Sequence, residues 1–142
     1  MTTELYNRRI VEAAKRARTR GRLEDADVSV ARDNPLCGDR VTLDLRFEGE
    51  RIAALGLRVR GCLLTEAAAA VLAERAVGAT PEDLRRVTEE LRRLLAGEAG
   101  EPSWPDLAMF RPAAAVRSRH ECVLLPFEAA EDALARAGPE RS

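Results

Sequence analysis

Apolar residues recur along the chain with two periods, and the changes of period mark the elements. Over residues 4–18, Tyr6, Ile10, Ala14 and Ala17 fall on one helical face, with Arg8, Arg9, Glu12, Lys15 and Arg16 mostly elsewhere. That spacing predicts an amphipathic helix. Gly21 suits its end or the start of the next loop. Residues 22–39 are polar and irregular, with Val28 and Val30 alternating as in a short strand and Asn34-Pro35 marking a turn. A period of two then takes over: Val41, Leu43, Leu45 and Phe47 alternate with Arg40, Thr42, Asp44, Arg46 and Glu48. After a turn at Glu48-Gly49-Glu50 comes Ile52, and then Leu55, Leu57 and Val59 alternate with Gly56, Arg58 and Arg60. The pattern predicts an antiparallel hairpin over 40–60, with one apolar face and one charged face open to solvent.

From Gly61 the period becomes helical. Leu64, Ala68, Val71, Leu72 and Arg75 fit a helix to about Val77, with Gly78 as its C-terminal cap. A second helix opens with Thr80 as cap, Pro81 at the first position and Asp83 closing a capping box. Leu84, Val87, Leu91, Leu94 and Leu95 form its buried stripe, and Gly97 ends it. Residues 98–105 read as a loop, and Asp106 to Phe110 as one helical turn. A last helix is expected over Cys122–Ala137, with Leu125, Ala129, Ala133 and Leu134 buried and Pro126 compatible only near its start. This order is that of an α+β fold: an N-terminal helix, then a small antiparallel sheet of about three strands packed against C-terminal helices. Alternating βα units and a Gly-rich phosphate loop are both missing from the sequence, which argues against a doubly wound nucleotide fold.

Composition narrows the class. A length of 142 residues suits a single domain spanning 1–142, and 46% hydrophobic with 33% charged residues is a globular balance. The formal net charge of -1, from 23 basic and 24 acidic residues, gives no overall field for nucleic acid. No apolar run approaches a bilayer span, so no membrane partner is expected. Met1-Thr2-Thr3-Glu4 lacks a basic flank followed by an apolar stretch, so a cytoplasmic location is expected. In that reducing setting three cysteines point to metal or catalytic roles rather than disulfides.

The neighbours of those cysteines carry the chemistry. In Asn34-Pro35-Leu36-Cys37-Gly38-Asp39, Pro35 stiffens the chain and Gly38 lets it turn, so Cys37 and Asp39 can share one cation. The bland alternative is a turn whose aspartate caps backbone amides. Cys62 follows Gly61 where a strand gives way to a helix. Backbone N–H groups there favour a thiolate, and a small residue filling a tight junction explains the position equally well. Cys122 stands at the start of the last helix, after Arg119, His120 and Glu121. His120, the single histidine, is either a fourth ligand or unengaged, and helical geometry turns its ring away from Cys122. With one histidine and no nucleophile elbow, a hydrolase has no supporting constellation.

Taken together and in order, Leu5-Tyr6 with the helix through Gly21, the Asn34–Asp39 loop, Gly61-Cys62 before an Ala-rich helix, and Arg119–Leu125 resemble the NifU N-terminal family. That family comprises the iron–sulfur cluster assembly scaffolds that include IscU and SufU. IscU proteins carry a histidine directly before the last cysteine, where this chain has Glu121. The long interval from Cys62 to Cys122 and the placing of Arg119 look like SufU. The resemblance implies a SufE/NifU-like fold and one metal site formed by Cys37, Asp39, Cys62 and Cys122, holding zinc or a [2Fe-2S] cluster. Arg119 and His120 are possible accessories, and Cys122 is the expected sulfur acceptor. It further implies a scaffold or a zinc-containing sulfur acceptor, at most sulfurtransferase-like in activity, served by a cysteine desulfurase and passing its product to apo iron–sulfur proteins. A diverged paralogue acting as a structural zinc-binding or interaction module is the alternative. The chain departs from the family at Leu63-Leu64-Thr65-Glu66, where small hydroxyl residues are usual, and at Glu121, where SufU has lysine.

Overall fold

Asn7 begins the first helix by accepting a hydrogen bond from the backbone N–H of Ile10. The chain is seen in a computed structural model that describes residues 7–36 and 38–137; Tyr6, expected on the first helix, lies outside them. The elements are α1 (Arg8–Arg18), β1 (Val28–Asn34), β2 (Asp39–Glu48), β3 (Arg51–Arg60), α2 (Leu63–Ala76), α3 (Pro81–Leu95) and α4 (His120–Ala137). Two 3₁₀ segments, Pro105–Ala115 and Arg117–Arg119, connect α3 to α4. The three strands form one antiparallel sheet in the order β1-β2-β3, so the fold is α+β as the periodicities predict.

Local chemistry accounts for most boundaries. The capping box at the start of α3 is complete: Asp83 N–H donates to Thr80 Oγ1 and Thr80 N–H to Asp83 Oδ2. Such a cap contributes about 1 kcal/mol. The expected stripe Leu84, Val87, Leu91, Leu94 and Leu95 is buried. In the hairpin, Arg46 pairs with Ala54 and Phe47 with Ile52, leaving Ala53 as an extra residue. That bulge shifts the side-chain parity, so Ile52 faces the core together with Leu55 and Leu57.

α2 is buried on every side from Leu64 to Ala73. It lies against α1, α4 and β3, while α4 covers β1 and β2. The Ala67–Ala70 run lets those neighbours approach closely. Pro126 lies seven residues into α4 and cannot donate to the carbonyl of Cys122.

The outer sheet face differs from the expectation. Asp44, placed by alternation on a face open to solvent, has 0% relative exposure. The segment after α1 crosses that face at Asp44 and Gly56 and shields it there, while Arg40, Glu48, Arg58 and Arg60 are exposed as the alternation predicts. Arg22 grips Asp44 through two hydrogen bonds of 2.7 and 2.9 Å, and the Leu23 N–H and Ser29 hydroxyl donate at 2.9 and 2.6 Å. Leu57 N–H donates to Gly21 O, which ties the strap to the free edge of β3. Gly56, opposite Asp44, makes room: a Cβ there would meet Leu23 N at 2.6 Å. Among the described residues no helix is long and apolar enough to cross a membrane.

Candidate functional site

Three candidate side chains, far apart in sequence, meet at one end of the sheet. Asp39 is the first residue of β2, Cys62 lies two positions past the last residue of β3, and Cys122 lies in the first turn of α4. A carboxylate oxygen of Asp39 and the Sγ atoms of Cys62 and Cys122 all lie within 4.8 Å of one another. Asp39 is 5% exposed, Cys122 is wholly buried and Cys62 is partly open. Cys37 lies outside the described residues, two positions before Asp39.

The backbone explains the convergence. Asn34 pairs with Asp39 across β1 and β2, so the intervening loop caps that end of the sheet. Asn34 Oδ1 accepts from Leu36 N–H, Asn34 O accepts from Gly38 N–H, and Gly38 takes a φ of 75° that a side chain resists. Gly61 is required by contact: a Cβ there would sit 2.8 Å from Asp39 Cγ. Cys62 is the N-cap of α2, yet its side chain makes no capping hydrogen bond, so the sulfur is turned to the cluster.

Thr65 completes the arrangement, and sequence reasoning missed it. Its hydroxyl donates to Asp39 Oδ2 at 2.7 Å and lies 3.5 Å from Cys62 Sγ. With its proton committed to Asp39, Thr65 Oγ1 acts as an acceptor for the Cys62 thiol. The available signal was spacing: N-cap and third helical residue face each other across a first turn.

Of the flanking candidates, His120 is engaged away from this trio. His120 Nε2 lies 3.2 Å from Ala114 O in the preceding 3₁₀ segment. Arg119 is half-buried in the turn before α4, and Glu121 is exposed. Burial, and then repulsion from Glu121, pushes the Glu128 carboxyl above its ordinary range against the pull of Arg32 and Arg92.

Two thiols and one carboxylate at this separation fit a tetrahedral zinc or an iron–sulfur cluster, with thiolate supplying affinity and carboxylate a weaker, more exchangeable bond. The class defined by fold and site is thus a small α+β domain presenting a thiol and carboxylate cluster at one end of its sheet. The family model described as the NifU-like N terminal domain matches residues 5–103, and the chain belongs to that family. The match spans Cys37, Asp39 and Cys62 and stops before Cys122.

Relatives extend the similarity over nearly the whole length. The chain is 27% identical over 131 residues to the iron-sulfur cluster assembly scaffold protein IscU of Thermotoga maritima, covering 92% of each. It is 25% identical over 134 residues to the zinc-dependent sulfurtransferase SufU of Bacillus subtilis, covering 93% of this chain and 90% of that protein. The crystal structure of the N-terminal part of a NifU-like protein from Brucella abortus superposes with a TM-score of 0.89 at 29% identity, over 96% of both chains.

Proposed function

We propose that this protein works in iron–sulfur cluster assembly, as a zinc-containing sulfur acceptor or as a scaffold, through Cys37, Asp39, Cys62 and Cys122. The observation that supports this most is the meeting of Asp39, Cys62 and Cys122 within 4.8 Å. These side chains would hold zinc, which supplies a Lewis-acid centre that keeps thiols deprotonated at neutral pH. A [2Fe-2S] cluster would be cargo built on the same donors. The reading calls for a cysteine desulfurase as sulfur donor, apo iron–sulfur proteins as recipients, one domain over 1–142 and a reducing cytosol.

The chemistry is thiol–persulfide exchange. A thiolate attacks the outer sulfur of the donor's persulfide, the donor's S–S bond breaks, and the donor cysteine leaves as thiolate. The acceptor then carries the persulfide, with no external oxidant or reductant consumed. Cys122 is the expected holder, but a fully buried sulfur is out of reach of a bulky donor. Of the two described thiols, Cys62 is the accessible one. Between these two, sulfur enters at Cys62 and passes to Cys122 by a second exchange, in which the Cys122 thiolate attacks the outer sulfur and Cys62 leaves as thiolate.

The alternative, a structural zinc module, draws on that same burial of Cys122. Persulfide trapping separates the two. After incubation with a cysteine desulfurase and L-cysteine, alkylation and mass spectrometry should find an added sulfur on Cys62 and Cys122. Cys122→Ser should leave it on Cys62, and Cys62→Ser should abolish labelling of Cys122. Undiminished labelling of Cys122 in Cys62→Ser would refute the order of transfer. Zinc-bound protein that takes no sulfur at any cysteine would establish the structural module instead.

A further inference from the structure

The outer sheet face next to the cluster carries a concentration of arginine that acidic partners answer only in part. Arg22, Arg40, Thr42, Arg58 and Arg60 line a cleft of about 290 Å³. Arg40 and Arg60 are direct cross-strand partners, and Thr42 is opposite Arg58. Like charges set opposite each other on a sheet destabilise it; Asp33, across from Arg40 on β1, offsets Arg40, and no carboxylate among the described residues does the same for Arg60. Two of the four guanidiniums are answered, Arg22 by Asp44 and Arg40 by Asp33. Arg58 and Arg60 are exposed and make no ion pair among the described residues. The cleft thus keeps two positive charges in a chain whose net charge is -1.

Position gives this charge its meaning. Arg40 directly follows Asp39, and Arg60 is separated from Cys62 by Gly61 alone. At the same end of the sheet Leu36 is 91% exposed, a bare apolar side chain in the loop that leads to Asp39. An apolar tip beside a charged rim is the layout of a protein docking surface. A nucleic acid needs a longer basic track and stacking aromatics, and no aromatic residue lines the cleft.

We propose that this arginine face, with Leu36 at its tip, is the docking surface for an acidic patch on the sulfur-donating enzyme. The proposal rests on the sulfur-acceptor reading above and adds the charge and position of the contact. Docked there, a carboxylate-bearing rim on the donor meets Arg58 and Arg60 while its persulfide arm reaches Cys62. Guanidinium–carboxylate pairing sets register and speeds encounter.

The test compares the wild type with R58E/R60E, whose substitutions lie on exposed positions outside the cluster. Binding to a cysteine desulfurase is measured at low and moderate ionic strength, and sulfur uptake from a small-molecule persulfide is measured separately. Wild-type binding should weaken as salt rises. The double variant should bind on the order of 10-fold or more weakly at low salt and lose the weakening with salt, since the unpaired positive charges that attract the acidic patch are gone. Uptake from the small persulfide should be unchanged, which shows an intact site. Equal binding by both proteins with the same salt response would overturn the docking surface and leave the sulfur-acceptor reading standing. A wild type that neither binds the desulfurase nor takes sulfur from the small donor would overturn both. Loss of RNA binding in the variant, with desulfurase binding intact, would reassign the cleft to nucleic acid.

Discussion

Thr65 shows how much one hydroxyl can decide. Asp39 is buried beside two thiols, and the Thr65 hydroxyl fixes which oxygen faces them. Losing a partner that orients a metal-binding group costs about 10–100-fold in affinity. Thr65→Val should therefore lower zinc affinity by that order in a competition titration with a chelating dye, and Thr65→Ser should restore it. His120→Ala should leave affinity nearly unchanged, because its ring is turned to Ala114 O. Cys62→Ser and Asp39→Ala each remove a donor and should weaken binding most. An equal loss from His120→Ala and Cys62→Ser would put the histidine among the ligands. The spacing of Thr65 from Cys62 was legible beforehand; its bond to Asp39 was not, because a different element supplies that aspartate.

Between elements, the strap after α1 is the feature that alternation alone misreads. Asp44 has the sequence position of a solvent-facing strand residue, and the structure buries it under Arg22 and Leu23. Burial by itself would raise its pKa, but hydrogen bonds from Arg22, Ser29 and Leu23 outweigh that and hold the carboxyl below its ordinary range. A depressed carboxyl stabilises the fold fully above the pKa of the unfolded chain, and that contribution is lost as pH falls through the lower folded value. Asp44→Asn should cost about 1.5–3 kcal/mol at neutral pH in urea unfolding. The gap between wild type and variant should close on acidification; a gap that is constant with pH would refute the charge argument. The hairpin, the capping box and the helix stripes were readable because their signals are local: a period, a cap, a turn. The 3₁₀ segment Pro105–Ala115 extends well beyond the single turn expected, since its mixed apolar run and internal Pro112 match neither helical nor strand periodicity.

Across the whole molecule, the near-neutral total conceals a division of charge. The sum of -1 excludes an overall basic field, yet it is compatible with the arginine face, because net charge carries no positions. Register was needed to set Arg40 opposite Arg60. The cluster itself was half legible: the cysteines and aspartate stood out by their neighbours, whereas the meeting of Asp39 with Cys62 required the hairpin to return β3 to the start of β2, and that with Cys122 required α4 to lie over the sheet.

The assembly of the site from a strand start, a strand end and a distant helix ties occupancy to survival. An unfolded chain holds these donors far apart, so zinc held as proposed would recognise the native form and act as a ligand of folding. At free zinc near 100 times its dissociation constant, the native state gains about 2.7 kcal/mol. Stripping zinc with a chelator should lower the melting temperature by several degrees, and Cys62→Ser should shrink that difference; a melting point indifferent to chelation would break the link. In a cell, the emptied protein would unfold more often and offer itself to proteases first, so turnover would report how well the pool is supplied with metal.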